Sequence, residues 1–238
     1  MNHGENLRIR LVLVSPEGKI NFGFILRLAK NFNVDEICVV NPQFDINDSE
    51  VIEFAARAKD SISKVRVTKS LAECIADTLI SVCTTAKLNL EGDVLRQGIK
   101  IEELPHVIPR QGLITLVFGR ESTGLTRDEL RQCDIISTID TGSEYNVLNL
   151  SHAVALYLYE INKIREAPCK KEDCDQHVLQ AIRRYLDIIR EATGDERGVI
   201  ALKHVLFRSK MSIPECTAIY KLLKRIAHKI NEQSNKRT

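Results

Sequence analysis

Short apolar segments alternate with helix-like patterns along the first two thirds of the chain. Continuous or alternating apolar residues predict strands over residues 7–14, 36–40, 65–67, 78–83, 112–118 and 135–139. Apolar residues at helical spacing predict helices over 20–33, 49–58, 71–76, 126–131 and 148–164, with Ser49 and Thr126 as two of the N-caps. Strands that alternate with helices are typical of a mostly parallel sheet with helices on both faces, so the predicted fold class is α/β.

The last third of the chain has a different pattern. Residues 166–175 are polar, contain a proline and show no periodicity, which indicates a linker. Three helices are predicted beyond it, over 176–193, 199–207 and from Ser212 to about Asn231, where Ser212 and Glu215 have capping-box spacing. We therefore expect a sheet domain over 1–165, a linker over 166–175 and a small all-helical domain over 176–238.

The predicted helix over 148–164 is apolar on more than one side. A helix of that kind is buried on more than one side, either in a deep core or at a subunit interface.

Composition excludes several classes of protein. The chain has 238 residues, 44% of them hydrophobic, and its apolar runs are too short to span a bilayer. No signal peptide is expected at the N-terminus. The seven cysteines are dispersed and odd in number, which favours reduced thiols and a cytoplasmic location. Cys169, Cys174 and His177 have no fourth partner for zinc, so no metal is expected.

Charge is unevenly distributed although the net charge is only +2. The net charge is −3 through Arg165 and +5 from Glu166 onward. A basic tail on a nearly neutral body favours a polyanionic partner, although a solvated helix face has the same composition.

A glycine-bearing loop, Gly119-Arg-Glu-Ser-Thr-Gly124, follows the predicted strand over 112–118. It resembles a phosphate-binding loop, but Leu125 stands where that loop has its lysine, so nucleoside triphosphate binding is not expected. No G-x-G-x-x-G sequence occurs, which disfavours a dinucleotide fold. The loop is therefore either a structural turn or a cradle for another ligand.

Three segments resemble known motifs in their known order: Asn21-x-Gly23-x-x-x-Arg27, Leu116–Thr126 and Asn146–Ala153. They are similar to the motifs of the SpoU branch of the SPOUT class of S-adenosylmethionine-dependent RNA methyltransferases. Residues 202–215 are similar to the C-terminal segment of the TrmJ group within that branch. This resemblance implies a C-terminal deep trefoil knot, a homodimer and a helical extension that binds tRNA. The basic residues of the extension that are expected to contact phosphates are Arg183, Arg184, Lys203, Arg208, Lys210, Lys221, Lys224 and Arg225.

The resemblance also implies an activity. It is methylation of the ribose 2′-hydroxyl of tRNA in the anticodon loop, at position 32 in tRNA numbering, on cytidine or uridine. Two alternatives stay open: a ribosomal RNA 2′-O-methyltransferase, and an RNA-binding SPOUT protein that has lost catalysis.

Candidate site residues follow from the matched motifs. The resemblance assigns S-adenosylmethionine binding to the following residues: Thr84, Thr85, Ala86, Gly119, Ile139, Asn146, Val147 and Leu148. It assigns catalysis to Arg27, Glu121 and Asn149, with Arg27 activating the ribose hydroxyl. Because a guanidinium is a poor base, Arg27 is also expected to act electrostatically, on the adjacent phosphate and the developing alkoxide.

One position departs from the family pattern. Val147 stands where SpoU proteins commonly have a serine, and Tyr145 or Ser143 are the nearest candidates to supply a hydroxyl. His152 lies on the apolar helix, where packing is the more common role of a histidine. Methyl transfer from a sulfonium needs alignment of the two reactants rather than a metal ion.

Overall fold

The structure is a computed structural model that describes residues 6–165, 174–209 and 211–235. Its strands are β1 Leu7–Val14, β2 Glu36–Val40, β3 Val65–Thr68, β4 Ile80–Thr84, β5 Ile99–Lys100, β6 Gly112–Phe118 and β7 Ile135–Thr138. The helices of the sheet region are α1 Lys19–Asn31, α2 Ser49–Ala55, α3 Leu71–Ile75, α4 Leu104–Val107, α5 Arg127–Gln132 and α6 Leu150–Arg165. The helices beyond residue 173 are α7 Gln176–Thr193, α8 Glu196–Arg208 and α9 Ile213–Asn235. Short 3-10 helices occupy Ala56–Lys64, Val94–Arg96 and Ile101–Glu103.

The described strands form one sheet in the order β3-β2-β1-β6-β4-β7-β5. All the neighbouring strands in it run parallel. In the centre β1 pairs with β6 so that Leu11 lies opposite Leu116, and both side chains are fully buried. Because the strands are parallel, the segments that leave β1, β4, β6 and β7 all emerge at one edge of the sheet.

Helices cover both faces of this sheet, which confirms the predicted α/β class. One face packs against α1, α2 and α6, and Tyr157 of α6 meets the ring of Phe118 edge-on at 5.4 Å between centroids. The other face packs Val12 and Val117 against α3 and α5. The long helix α6 has a deeply buried stripe as well as an exposed one.

Local chemistry explains where the elements differ from the predictions. The N-cap of α2 is Asp48, whose carboxylate accepts from the Glu50 amide, and not Ser49. The helix ends at Ala55 because Ala56 has a positive φ of 49°, and a 3-10 helix follows. The pattern of apolar residues did not predict β5 or α4, which are too short to show a periodicity.

The three helices beyond the linker agree with the prediction. Gly194 ends α7 in the left-handed conformation with φ 67°, and the Ser212–Glu215 capping box precedes α9. Helix α8 begins at Glu196, three residues earlier than expected, since Asp195 caps it by accepting from the Gly198 amide. Most of the predicted linker over 166–175 lies outside the described residues.

The helical tail packs against the sheet region of its own chain. Arg183 of α7 forms a salt bridge with Asp134 at 2.6 Å and donates to the carbonyls of Thr78 and Leu79. Asp134 is 1% exposed and also accepts from the backbone and hydroxyl of Ser81. Burial alone would raise the pKa of Asp134, but the charges of Arg183 and Lys203 outweigh it and lower that pKa. A buried ion pair of this kind fixes where the tail sits.

Within the described residues, the structure contradicts the expectation that the cysteines are reduced thiols. Three disulfides are present: Cys38–Cys74, Cys83–Cys133 and Cys174–Cys216. Spacing along the chain could not show this, because the tertiary fold brings together residues that are 36 to 50 positions apart. Cys169 lies outside the described residues.

No helix in the described part of the chain combines the length and apolar character that crossing a membrane requires.

Candidate active site

One cavity lies at the carboxyl ends of β4, β6 and β7 and has a volume of about 470 Å³. We call it the first cavity. Its lining includes all eight residues predicted to hold the cofactor: Thr84, Thr85, Ala86, Gly119, Ile139, Asn146, Val147 and Leu148. Parallel sheets commonly bind ligands at this edge, and the volume is in the range of small-molecule sites.

The glycine loop forms one wall of the first cavity and folds back on itself. Arg120 and Gly124 exchange two backbone hydrogen bonds, at 3.3 and 2.9 Å. A Cβ on Gly119 would lie 2.2 Å from the carbonyl carbon of Gly124, so only glycine fits there. Gly124 has a φ of 71°, which also favours glycine. The Arg120 guanidinium donates two hydrogen bonds to the carboxylate of Glu129 in α5, which connects the loop to the helix that follows.

Glu121, at the tip of this loop, accepts hydrogen bonds from the start of α1. Its carboxylate receives the backbone amides of Glu17 and Gly18 at 2.9 and 3.0 Å and the Asn21 side chain at 3.1 Å. Gly18 has no side chain that could cap the helix, so the carboxylate of Glu121 does so from another segment. The carboxylate of Glu121 therefore positions the start of the helix that carries Arg27.

Asn149 precedes α6 and links that helix to α1. Its Nδ2 donates to Oδ1 of Asn21 at 2.9 Å, while its Oδ1 accepts from the amide and hydroxyl of Ser151. The three motifs therefore meet in one hydrogen-bonded chain that runs from Glu121 through Asn21 to Asn149.

A second cavity of about 480 Å³ opens beside this chain. It is lined by Asn21, Phe24, Arg27, Asn149 and His152, among others. Arg27 is exposed and its guanidinium lies 5.7 Å from the centroid of the Phe24 ring. Within the described part of the chain it has no hydrogen-bonding or ionic partner, so it is free to bind a ligand in this cavity. His152 is exposed rather than packed in the core.

The sequence did not single out several residues that line the first cavity. Arg96 donates to the hydroxyl of Thr85 at 2.7 Å, and Lys87 lies on the same segment. Arg96 lies in a segment without periodicity, so no sequence signal pointed to it. Tyr157 reaches the cavity from α6 and donates to Ser137, and burial raises the pKa of its phenol.

The missing serine at position 147 has no substitute at the candidate positions. Val147 is 54% exposed and lines the first cavity. Neither Tyr145, which is 78% exposed, nor Ser143 lines that cavity. The hydroxyl that does contact the network is that of Ser151, through Asn149.

The tail has an exposed basic face, but two of its predicted phosphate contacts are wrong. Arg183 is held in the ion pair with Asp134, and Lys203 donates to the carbonyls at the end of α5. Burial lowers the pKa of Lys203, which Asp134 partly opposes. The predicted cations that remain exposed are Arg184, Lys221, Lys224 and Arg225, with Arg208 half-buried and Lys210 outside the described residues.

Cys174, one of the residues weighed as a zinc ligand, forms a disulfide with Cys216. The described residues include no cluster of three or more histidine, cysteine, aspartate or glutamate side chains that could hold a metal ion.

Comparisons with known proteins agree with this geometry. Residues 8–159 match the model of the SpoU rRNA Methylase family. The tRNA (cytidine-2′-O-)-methyltransferase TrmJ of Sulfolobus acidocaldarius is 35% identical over 96% of this chain and 97% of its own length. The protein of the same name from Methanocaldococcus jannaschii is 30% identical over 91% of both chains. The structure of a probable methylase family protein from Haemophilus influenzae superposes with a TM-score of 0.63, at 26% identity, over 94% of this chain and 98% of that one. The three motifs, their convergence at one edge of the sheet and these matches together show that the chain belongs to the SpoU methylase family.

Proposed function

We propose that this protein is an S-adenosylmethionine-dependent tRNA ribose 2′-O-methyltransferase. The observation that carries the proposal is the pair of adjacent cavities. One is lined by the eight cofactor candidates, the other contains an arginine that has no hydrogen-bonding or ionic partner among the described residues, and the chain Glu121–Asn21–Asn149 lies between them. The full-length match to proteins named tRNA (cytidine-2′-O-)-methyltransferases favours tRNA as the substrate.

The first cavity suits S-adenosylmethionine. Gly119 has no room for a Cβ because the backbone of Gly124 and Leu125 packs against it, and all three residues line the cavity. The apolar side chains of Val147 and Leu148 and the neighbouring Ile139 form the opposite wall. When bound there, the cofactor supplies an electrophilic methyl group on a sulfonium.

The second cavity would then receive the ribose of the target nucleotide. The Arg27 guanidinium carries the positive charge that a phosphate and a developing 2′-alkoxide need. A guanidinium is a poor proton acceptor, so electrostatic stabilisation is the role that we assign to Arg27. Asn21 and Asn149 hold the floor of the cavity, and Glu121 holds the start of the helix that carries Arg27.

The polyanionic substrate extends beyond the two cavities. We assign residues 1–165 to the methyltransferase domain, 166–175 to a linker and 176–238 to a tRNA-binding extension. The exposed cations Arg184, Lys221, Lys224 and Arg225 would contact phosphates, which gives affinity without sequence readout. A tRNA substrate favours a cytoplasmic location.

We also propose a homodimer and a trefoil knot. Leu156 and Tyr159 of α6 and Ile20 of α1 are 42%, 55% and 41% exposed, which is an apolar surface suited to a second copy of the chain. The knot is supported by the strand order, in which β7 lies between β4 and β5. The chain that follows β7 and the segment that joins β4 to β5 line the same cavity.

The target position is proposed as nucleotide 32 of the anticodon loop. Ribosomal RNA is the second candidate substrate, because the family model that matches the chain is named for rRNA methylases. The experiment that decides is methyl transfer from labelled S-adenosylmethionine to unmodified tRNA and, in parallel, to ribosomal RNA. Nucleoside analysis of the labelled product identifies the base, and fragment mapping distinguishes position 32 from its neighbours.

The matched variants are Arg27→Ala, Arg27→Lys and Arg8→Ala. Arg8 is an exposed arginine on β1, paired with Glu36 at 3.9 Å, and does not line either cavity. We expect label on tRNA with wild type and Arg8→Ala and a loss of at least about a hundredfold with Arg27→Ala, with cofactor binding unchanged. Label on ribosomal RNA alone would refute the tRNA assignment. Cofactor binding without transfer to either RNA would indicate a catalytically inactive RNA-binding protein.

A further inference from the structure

The segment that joins β4 to β5, residues 85–98, has two contrasting sides. Its inner side lines the first cavity with Thr85, Ala86, Lys87 and Arg96. Its outer side lies against the helical tail, the proposed RNA-binding element. We call this segment loop 85–98.

The inner side depends on Arg96. Its guanidinium donates to the hydroxyl of Thr85 at 2.7 Å and to the carbonyl of Lys87 at 3.2 Å. The backbone carbonyl of Arg96 accepts from Asn89 at 2.6 Å. The conformation of the wall of the first cavity is therefore set by where the 3-10 helix Val94–Arg96 places this one side chain.

The outer side of the same 3-10 helix is held by α8 and α5. Arg197 of α8 donates to the carbonyl of Gly92 at 3.3 Å. Ile200 lies in the groove formed with Val94 and Leu95, and Ile200 and Leu95 are buried. Arg127 of α5 makes two hydrogen bonds to Asp93, at 2.7 and 3.1 Å.

Helix α8 is itself anchored to the sheet region. Lys203 donates to the carbonyl of Arg131 at 2.9 Å, and the Arg183 guanidinium stacks 5.0 Å from the Phe207 ring while it pairs with Asp134. A shift of α8 would therefore move the outer support of Arg96.

We propose that the docked tail positions loop 85–98 and thereby sets the affinity for the methyl donor. Arg96 is the positioning residue, and the contact of Ile200 with the 3-10 helix Val94–Arg96 is where the tail acts on it. This inference rests on the proposed function, since it takes the first cavity to be the cofactor site. Coupling of this kind is reciprocal: if docking of the tail favours the cofactor, the cofactor favours docking.

The test uses the full chain and isothermal titration with S-adenosylmethionine in the absence of RNA. Ile200→Asp introduces a charge into the contact with loop 85–98, and Ile200→Ala is a milder version. Leu202→Asp is the matched control, because Leu202 lies on the same helix and is 42% exposed. We expect the dissociation constant to rise about fivefold or more for Ile200→Asp, to rise less for Ile200→Ala and to change less than twofold for Leu202→Asp.

A second measurement separates positioning from loss of fold. Amide hydrogen exchange over residues 197–205 of the wild type is followed with and without S-adenosylmethionine, and we expect the bound cofactor to slow it. For Arg96→Lys, we expect a higher KM for S-adenosylmethionine and an unchanged KM for tRNA. Thermal unfolding of each variant confirms that it is still folded.

The failures are distinguishable. If the wild type does not bind S-adenosylmethionine, the proposed function is refuted and this inference falls with it. If the wild type binds and both Ile200 variants bind equally well, with exchange in α8 unaffected by the cofactor, the proposed function stands and the coupling is refuted.

Discussion

The side-chain amide of Asn149 donates a hydrogen bond of 2.9 Å to Oδ1 of Asn21, a residue 128 positions earlier in the chain. The side-chain nitrogen Nδ2 of Asn21 donates to the carboxylate of Glu121 at 3.1 Å. Asn21 thus uses its oxygen for one motif and its nitrogen for another. An aspartate at this position could accept from Asn149 but could not donate to Glu121, so the pattern requires an amide.

This arrangement predicts a non-additive loss of activity. Asn21→Ala and Asn149→Ala each break the same link, and each is expected to lower the single-turnover rate of methyl transfer about tenfold to a hundredfold. Because both remove one shared interaction, the double variant should lose little more than the worse single variant, a coupling of about 0.5–3 kcal/mol. Asn47→Ala is the control, since Asn47 is exposed and lines neither cavity. Additive losses would show that the two amides act independently.

Glu121 is predicted to contribute to stability as well as to activity. Its carboxylate accepts two backbone amides at the start of α1, where the helix dipole favours negative charge. We expect Glu121→Gln to lower the free energy of unfolding by about 1–2 kcal/mol, because the charge is lost and the amide's own hydrogens face donors. Urea denaturation measures the change. Glu144→Gln, an exposed acid in the loop after β7, should leave the midpoint within error. An equal shift in both variants would mean that the effect is one of net charge alone.

The ion pair between Arg183 and Asp134 is predicted to hold the tail in place. Arg183→Met leaves Asp134 buried without its partner, which is expected to cost about 3–5 kcal/mol. The measurement is urea denaturation together with limited trypsin digestion, where cleavage within α7 should speed up. The control is Arg184→Met, because Arg184 is exposed on the same helix. If the two variants were cleaved at the same rate, the pair would not be what keeps the tail docked.

Most of the fold was predictable because its signals are local. The strand over Leu7–Val14 and the N-cap at Thr126 were both predicted, the first from apolar residues alone. The cofactor-binding and catalytic candidates came from the resemblance, and the structure places all eight cofactor candidates in the lining of one cavity.

The features of the fold and of the site that the sequence did not predict depend on tertiary contacts. Arg96 lies in a segment without periodicity, and its role follows only from the 2.7 Å contact with Thr85. Arg183 and Lys203 were counted as RNA contacts because a sequence does not distinguish a basic residue that pairs with a buried carboxylate from one that faces solvent. The disulfides escaped prediction because the tertiary fold decides which cysteines are neighbours.

The last prediction concerns pH. His204 of α8 is 2% exposed and lies against the backbone of Val94, and neither ring nitrogen has a hydrogen-bond partner of good geometry in the described part of the chain. Burial lowers the pKa of His204 from 6.5 to about 4, helped by the charges of Lys203 and Arg208 and opposed by Asp134. The unfolded chain takes up a proton near pH 6.5 and the folded chain does so only near pH 4. The contribution of His204 to the free energy of unfolding is therefore complete above pH 6.5 and decreases as the pH drops from 6.5 to 4.

The size of that loss follows from the separation of the two pKa values, about 3 kcal/mol across the window. The measurement is the urea midpoint of wild type and His204→Leu at pH 7.5 and pH 4.5. Because leucine does not titrate, the variant should lose less stability than the wild type over this range, while the carboxylates titrate alike in both proteins and cancel in the difference. Parallel pH curves for the two proteins would show that His204 is protonated in the folded state at the same pH as in the unfolded chain.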